Sequence, residues 1–344
     1  MPSREKITVI VEKRTDAINK YSESIILNLK KGGVAVRVIL LDNKPFKNSL
    51  INFISEIINT IKATCMIRHD DIVLFTDPLS FNLLGSIIIP NKKFVIFYHY
   101  EQDPFYYKYL PFISYQNVLN KLDGIICISN FSLSQLASLG VDTKKCKVVY
   151  GGLDHDLFTP SKKKLYLFDY ILSVGSEEPR KNMENILASF QILKKDFPNL
   201  KLLKIGRVNP TNRKQTLCYI EKLQLTDSVV FTDYIDEKKL PQIYSGAKLL
   251  LFPSLLEGFG IPIAEAMACG CPVVTSNRDP MKELIGLSQT TVNPLDPIEM
   301  ALECKKIILD EKYRDTAIKN SLERAKYFDW GSAAVDVYNL MIKD

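Results

Sequence analysis

The sequence predicts an α/β protein made of two doubly wound, Rossmann-like domains in series. Three observations carry this reading. A strand–helix–strand unit fills the first 41 residues, a second run of alternating strands and helices starts near residue 170, and a polar stretch without periodicity separates them. A chain of 344 residues is also longer than one hydrophobic core usually serves.

The first unit opens with Ile7–Val11, a short β-branched run of the kind buried in parallel sheets. A helix over 19–31 follows, with Tyr21, Ile25, Ile26 and Leu29 on one face. Its end is marked by Lys30, Lys31, Gly32 and Gly33, a basic last turn followed by glycine stop signals. Val34–Leu41 completes the βαβ unit, and short apolar runs at Ile72–Phe75, Phe94–Tyr98 and Gly124–Ile128 read as further strands. In the second half the expected strands are Tyr170–Val174, Lys201–Ile205, Val229–Phe231, Leu249–Phe252 and Pro272–Thr275. Helices are expected over 182–196, 213–223, 238–246, 262–268 and, as one long element, 297–325. The polar stretch Gly151–Lys164 marks the boundary. We therefore expect an N-terminal domain over 1–155, a C-terminal domain over 156–326, and a terminal helix over 327–344 packing back toward the first domain. In such sheets ligands sit beyond the carboxyl ends of the strands, so a site in a cleft between the domains is expected.

Composition excludes several classes. No apolar run reaches the ~18 residues of a spanning helix. The N-terminus reads as a first strand and not as a secretory signal, so a cytoplasmic protein is expected, with a peripheral position at the inner membrane surface left open. The seven cysteines are scattered, none in C-x-x-C spacing, and only three histidines exist. Buried free thiols fit better than disulfides or structural zinc. Residues 1–150 carry 19 Lys and Arg against 13 Asp and Glu, so the formal excess of +6 sits wholly there. That half could face an anionic membrane, but no basic-aromatic motif argues for nucleic acid.

The densest chemistry lies in Pro253–Ser276, PSLLEGFGIPIAEAMACGCPVVTS. A strand ends in a loop carrying Glu257, Gly258, Phe259 and Gly260, whose glycines leave backbone amides open to a ligand. Pro262 then suits the first turn of a helix, and Gly270 stops it. Loop amides and a helix N-terminus together offer partial positive charge for a phosphate or sugar hydroxyls. Glu257 in the loop and Glu265 in the first turn, eight positions on, can face one cleft and accept bonds from vicinal hydroxyls. Taken alone, Glu265 could merely complement the helix dipole and Glu257 could be a solvated loop residue; the full string E-G-F-G-x-P-x-x-E-A-x-A-x-G-x-P-V-V is too particular for that.

This string resembles the E-x7-E signature of the family 4 retaining glycosyltransferases, which have the GT-B fold. Tyr170–Phe190 (YILSVGSEEPRKNMENILASF) is similar to the first strand, loop and helix of that family's donor domain. Thr232–Ala247, Val148–Pro160 and Tyr327–Lys343 resemble the segment before the motif, the interdomain segment and the C-terminal end. The resemblance implies transfer of a sugar from a nucleotide-diphosphate donor to a hydroxyl of a glycan, lipid-linked saccharide or protein glycan, with no metal and no cofactor. It implies that Glu265 binds the donor's ribose and that Glu257 contacts the transferred sugar. Amides of Gly258, Phe259, Gly260 and Ile261 would hold the sugar and diphosphate, and Lys181 would neutralise the diphosphate in place of a metal.

Two departures stand out. Ser176 follows Gly175 where the family often has an arginine, which makes Arg180 the substitute candidate for a second cation. The glycine-rich loop after the first strand is replaced by Glu12–Ile18. His99, at the end of Phe94–Tyr98, matches a histidine that the family places facing the donor sugar, although Tyr100 stands where an aspartate often follows. Asp154-His155-Asp156 has the D-x-D spacing of metal-dependent transferases but lies alone in the linker. The aromatic run Phe105, Tyr106, Tyr107, Tyr109, Phe112 and Tyr115 suits acceptor stacking, a membrane face or burial under a loop. A decayed cleft that binds nucleotide sugars or glycans without turnover stays the alternative.

Overall fold

The computed structural model describes residues 6–12, 17–41, 58–59, 61–76, 89–99, 114–233, 235–286 and 290–343. The chain divides into two units, 1–152 together with 330–344, and 153–329.

The N-terminal unit carries a parallel sheet built, in spatial order, from β2 (Ala35–Leu41), β1 (Lys6–Glu12), β3 (Ile72–Phe75), β4 (Lys93–Phe97), β5 (Gly124–Cys127) and β6 (Cys146–Val148). One face of it is closed by a core that includes Ile10, Val73, Val95, Phe97, Ile125 and Leu136. Helix α1 (Ala17–Lys31) buries Tyr21, Ile25 and Leu29, the face read from the sequence. Helices α2 (Tyr115–Asn120) and α3 (Asn130–Ser138) are capped by Ser114 and Ser129, whose side chains accept the N–H of Asn117 and of Ser132.

The C-terminal unit has the sheet order β12 (Thr290–Val292), β11 (Val273–Ser276), β10 (Leu249–Phe252), β7 (Tyr170–Val174), β8 (Lys201–Ile205) and β9 (Val229–Thr232), again parallel. Its core packs α4 (Met183–Lys194) and α9 (Pro297–Leu309) onto one face through Ile186, Leu187, Phe190, Met300, Cys304 and Ile307. The other helices are α5 (Pro210–Lys222), α6 (Leu240–Gly246), α7 (Ile261–Ala268), α8 (Met281–Ile285) and α10 (Glu311–Ala325). Asn209 and Asp296 cap α5 and α9, each followed by proline in the first turn.

Four expectations need correction. The boundary falls at 152/153 and not at 155/156, because Leu153 is tied inside the second unit by its N–H to the Phe328 carbonyl (2.9 Å). The terminal helix, α11 (Trp330–Ile342), starts at Trp330 and not at 327; it packs on the side expected for it, in the N-terminal unit, where Trp330 meets Tyr21 edge-on. The long helix over 297–325 is two helices, because Asp310 adopts extended φ/ψ (−92°, 100°) and its side chain caps α10 through the Tyr313 N–H. Cys65 and Cys218 are exposed, so burial of thiols holds for Cys127, Cys269, Cys271 and Cys304, with Cys146 half-buried; all seven are free. Among the described residues no helix is long and apolar enough to cross a membrane.

Candidate functional site

The C-terminal unit's sheet order sets its site. From β7 the chain winds outward through β8 and β9, then returns to pair β10 on the other side of β7 and winds away through β11 and β12. The loops that follow β7 and β10 therefore leave neighbouring strands at the point where winding reverses, the place where open α/β sheets hold ligands. These loops carry Arg180 and Lys181 on one side and Glu257 on the other.

The loop after β7 makes a short 3-10 turn, Pro179–Lys181, and ends at Asn182 in the left-handed region (φ 62°). Asparagine tolerates that backbone better than most residues. The Asn182 amide is buried and donates to the carbonyls of Pro253 (3.0 Å) and Pro294 (2.6 Å), so one side chain joins the loops after β7, β10 and β12. The Leu255 N–H adds a bond to the Arg180 carbonyl at 2.8 Å.

This bracing brings the predicted charges together. Lys181 Nζ lies 2.5 Å from Glu257 Oε1, and Arg180 Nη1 lies 3.1 Å from Glu257 Oε2. Arg180 is shared: its Nε and Nη2 reach Glu178 Oε2 at 2.8 and 2.7 Å. The Lys181 and Glu257 side chains are only 13% and 9% exposed, so their attraction is screened little by water. Burial pulls the Lys181 ammonium below the usual lysine range, and Glu257 opposes that pull. Phe252, the last residue of β10, places its ring 5.0 Å from Lys181 Nζ.

Helix α7 begins at Ile261 behind Gly260, whose φ of 104° admits no ordinary side chain. Glu265 consequently lies in the second turn, not the first, and its side chain is buried. The Tyr244 hydroxyl from α6 donates to Glu265 Oε2 at 2.8 Å. Burial, and then the nearby Glu265 charge, raise the Tyr244 phenol well above its usual range, so it stays a donor. Phe259 packs edge-on against Phe328 with ring centroids 5.7 Å apart, which fixes the Gly258–Ile261 backbone in place. Sequence reasoning missed Tyr244 and gave Asn182 no role. The signal for Asn182 was its place directly after Pro-Arg-Lys at a helix start; Tyr244 carried no local signal.

His99 lies two residues past β4 in the N-terminal unit and is half-buried. Residues 13–16 of the segment replacing the glycine-rich loop and the aromatics Phe105–Phe112 fall outside the described residues, whereas Tyr115 is buried in α2. The D-x-D triplet is spent on a turn: Asp154 Oδ1 accepts the N–H of Asp156 and of Leu157, both at 3.1 Å, and His155 Nε2 bonds the Phe328 carbonyl at 2.9 Å. Among the described residues no group of three His, Cys, Asp or Glu side chains is placed to hold a metal ion.

Two sequence profiles match end to end. "Glycosyltransferase Family 4" covers residues 6–157 and "Glycosyl transferases group 1" covers 161–324. The chain belongs to glycosyltransferase family 4. This family 4 glycosyltransferase is 29% identical over 170 residues to the O-antigen chain mannosyltransferase B of Escherichia coli, a match taking in 49% of this chain and 45% of the relative. It is 29% identical over 201 residues to the O-antigen chain mannosyltransferase RfbU of Salmonella typhimurium, with 56% and 55% covered. The chain thus spans about half the length of these curated relatives. Its fold is that of solved GT-B glycosyltransferases. It superposes on sucrose-phosphate synthase of Thermosynechococcus elongatus with a TM-score of 0.82 at 19% identity, over 98% of both chains. On Anabaena HepE in complex with UDP and glucose the TM-score is 0.77 at 19% identity, over 98% of this chain and 99% of that one.

Proposed function

We propose that this family 4 glycosyltransferase is a metal-independent, retaining enzyme that moves a sugar from a nucleotide-diphosphate donor to a hydroxyl of a saccharide-bearing acceptor. The observation that carries it is the meeting of Lys181 and Glu257 at the sheet's reversal point, 76 residues apart in sequence, with Glu265 on the helix that follows. In this reading Glu265 receives the ribose hydroxyls and Glu257 the hydroxyls of the transferred sugar. Lys181, with Arg180 beside it, neutralises the diphosphate. The amides of Gly258, Phe259, Gly260 and Ile261 line the donor at the start of α7. The family resemblance assigns His99 to the transferred sugar and the N-terminal unit to the acceptor.

The bond from the sugar's anomeric carbon to the diphosphate oxygen breaks, and its electron pair leaves with the diphosphate. Lys181 acts at that moment: a fixed ammonium at a developing anion lowers the barrier without a metal. The acceptor oxygen bonds to the same face of the carbon, so configuration is retained, and its proton passes to the leaving phosphate. The mannosyltransferase relatives make a mannose donor the first to try, and the UDP and glucose of HepE the second.

The test is a thermal-shift screen of GDP-mannose, UDP-glucose and ADP-glucose, followed by donor hydrolysis in water and NMR of the sugar released or transferred. The reading expects one donor to raise the melting point and to be hydrolysed slowly with its anomeric configuration kept, with turnover lost in Glu257→Ala and Lys181→Ala. A shift without turnover would favour a binding protein, and inverted product would remove the retaining assignment.

A further inference from the structure

Behind the Lys181–Glu257 pair lies a second charged cluster that the reading above leaves unused. Lys204, in strand β8, is 3% exposed. Its Nζ donates to the Gly175 carbonyl and, at 3.1 Å, to the Ile205 carbonyl. These carbonyls belong to the ends of β7 and β8, where the two strands are so close that a Cβ on Gly206 would stand 1.9 Å from the Gly175 oxygen. Among the described residues no carboxylate is ion-paired with Lys204.

The neighbouring cations are spoken for. Arg213, from α5, holds Glu177 Oε1 (Nε at 2.6 Å, Nη2 at 2.5 Å) and Asp233 Oδ1 at 2.8 Å, with its guanidinium 4.0 Å from the centre of the Phe231 ring. Arg180 is divided between Glu178 and Glu257. Lys204 is the buried exception. An ammonium buried with no carboxylate in direct contact lowers stability, and burial pushes this one down to about 8, opposed by the nearby Glu177 charge and reinforced by Lys181 and Arg213. Gly175 touches both lysines: an added Cβ there would meet Lys181 Cε at 3.2 Å and Nζ at 3.5 Å, while the same residue's carbonyl is held by Lys204. An anion gripped by Lys181 would stand one residue away from Lys204.

We propose that Lys204 is a further cation of the donor's diphosphate subsite, additional to Lys181 and Arg180 and acting from beneath the Gly175 turn, where Ser176 leaves no arginine to act from above. It is a positioning residue: it ties the β7 and β8 turns and adds a positive charge behind them that no carboxylate among the described residues contacts directly. The inference rests on the donor reading given above.

Calorimetric titration of the full chain with GDP, UDP and the matching nucleosides guanosine and uridine tests it. Lys204→Met keeps the bulk and removes the charge; Lys204→Gln also keeps an N–H for the carbonyls. Both variants should bind the preferred diphosphate at least tenfold more weakly at pH 7 and bind its nucleoside as the wild type does. In the wild type, diphosphate affinity should fall relative to nucleoside affinity as pH rises through about 8, and the two variants should lose most of that fall. Unchanged diphosphate affinity in a folded variant, or equal losses for diphosphate and nucleoside, would overturn the inference and leave the donor site standing. If one variant fails to fold, the other decides, and a flat wild-type pH profile refutes the inference by itself. Failure of the wild type to bind any of these diphosphates would instead remove the donor reading, and this inference with it.

Discussion

Lys181 Nζ and Glu257 Oε1 are 2.5 Å apart, joined across 76 residues by two adjacent strand ends. Each group makes the other's burial tolerable. Removing the carboxylate leaves an ammonium that burial already depresses and that only the smaller influence of Glu178 then supports. Glu257→Gln should therefore lower the Lys181 pKa further and reduce transfer by two orders of magnitude or more, comparable to losing an electrostatic stabiliser of a developing anion. Single-turnover kinetics measure the second effect, and NMR titration of labelled lysine measures the first. Transfer within tenfold of wild type would contradict Glu257's place at the sugar.

Tyr244 donates to Glu265 Oε2 from a fully buried position, and the bond holds that carboxylate in one rotamer. A hydrogen bond to a charged group contributes about 1.5–3 kcal/mol. If Glu265 receives the ribose, that grip is the same in the ground and transition states. Tyr244→Phe should then raise the donor KM by roughly tenfold or more and change kcat little, the pattern of lost uniform binding. Steady-state kinetics at varied donor concentration check it; a fall in kcat at unchanged KM would place Glu265 at the reacting carbon instead.

The sequence showed the parts more readily than their arrangement. Glu257, Gly260 and Glu265 stood in one contiguous string, and Lys181 followed a strand-and-turn pattern, so local chemistry marked each of them. That Lys181 meets Glu257 depends on β10 pairing with β7, a long-range choice that no window of residues contains. Lys204 was hidden for a different reason. In Lys201–Ile205 it is one of two lysines beside an apolar pair, which reads equally as solvated; in the fold it is buried on the strand face of Leu202, which packs in the core with residues of α4 and α5. The short strands Cys146–Val148 and Thr290–Val292 went unread because three residues at a sheet edge carry little periodicity. The split at Asp310 turns on one capping side chain inside a helical pattern otherwise long enough to run through.

Buried Lys204 gives stability a distinctive pH dependence. Its ammonium titrates near 8 in the fold and near ~10.4 in the unfolded chain, so between those values the unfolded state holds the extra proton. Stability should rise with pH across that window, by up to about 3 kcal/mol relative to Lys204→Met, and the two proteins should run parallel below pH 7. Lys204→Met should also be the more stable of the two at pH 7, since the penalty of the buried charge is gone. Urea denaturation at several pH values from 6.5 to 10 measures this difference. A wild type that gains nothing over the variant between pH 8 and 10 would show that the ammonium is not depressed.

Trp330 is the only tryptophan of the chain and reports on the N-terminal unit alone. It opens α11 and meets Tyr21 of α1 edge-on, with ring centroids 5.3 Å apart, and Tyr21 in turn meets Tyr98 at 5.9 Å. The Tyr21 hydroxyl donates to the Val149 carbonyl at 2.9 Å, so one side chain links α1, α11 and the segment after β6. Tyr21→Ala removes an aromatic side chain from a buried position and takes away that carbonyl's donor. Large-to-small changes of this kind cost about 3–5 kcal/mol. The midpoint of the tryptophan fluorescence transition in urea should fall accordingly. The residues that hold the donor in the proposed function, apart from His99, lie in 153–329, so the dissociation constant for the preferred nucleoside diphosphate should stay within twofold of wild type. A matched fall in both would show that donor binding depends on the N-terminal unit's packing; no fall in the fluorescence midpoint would contradict the seat of α11 on α1.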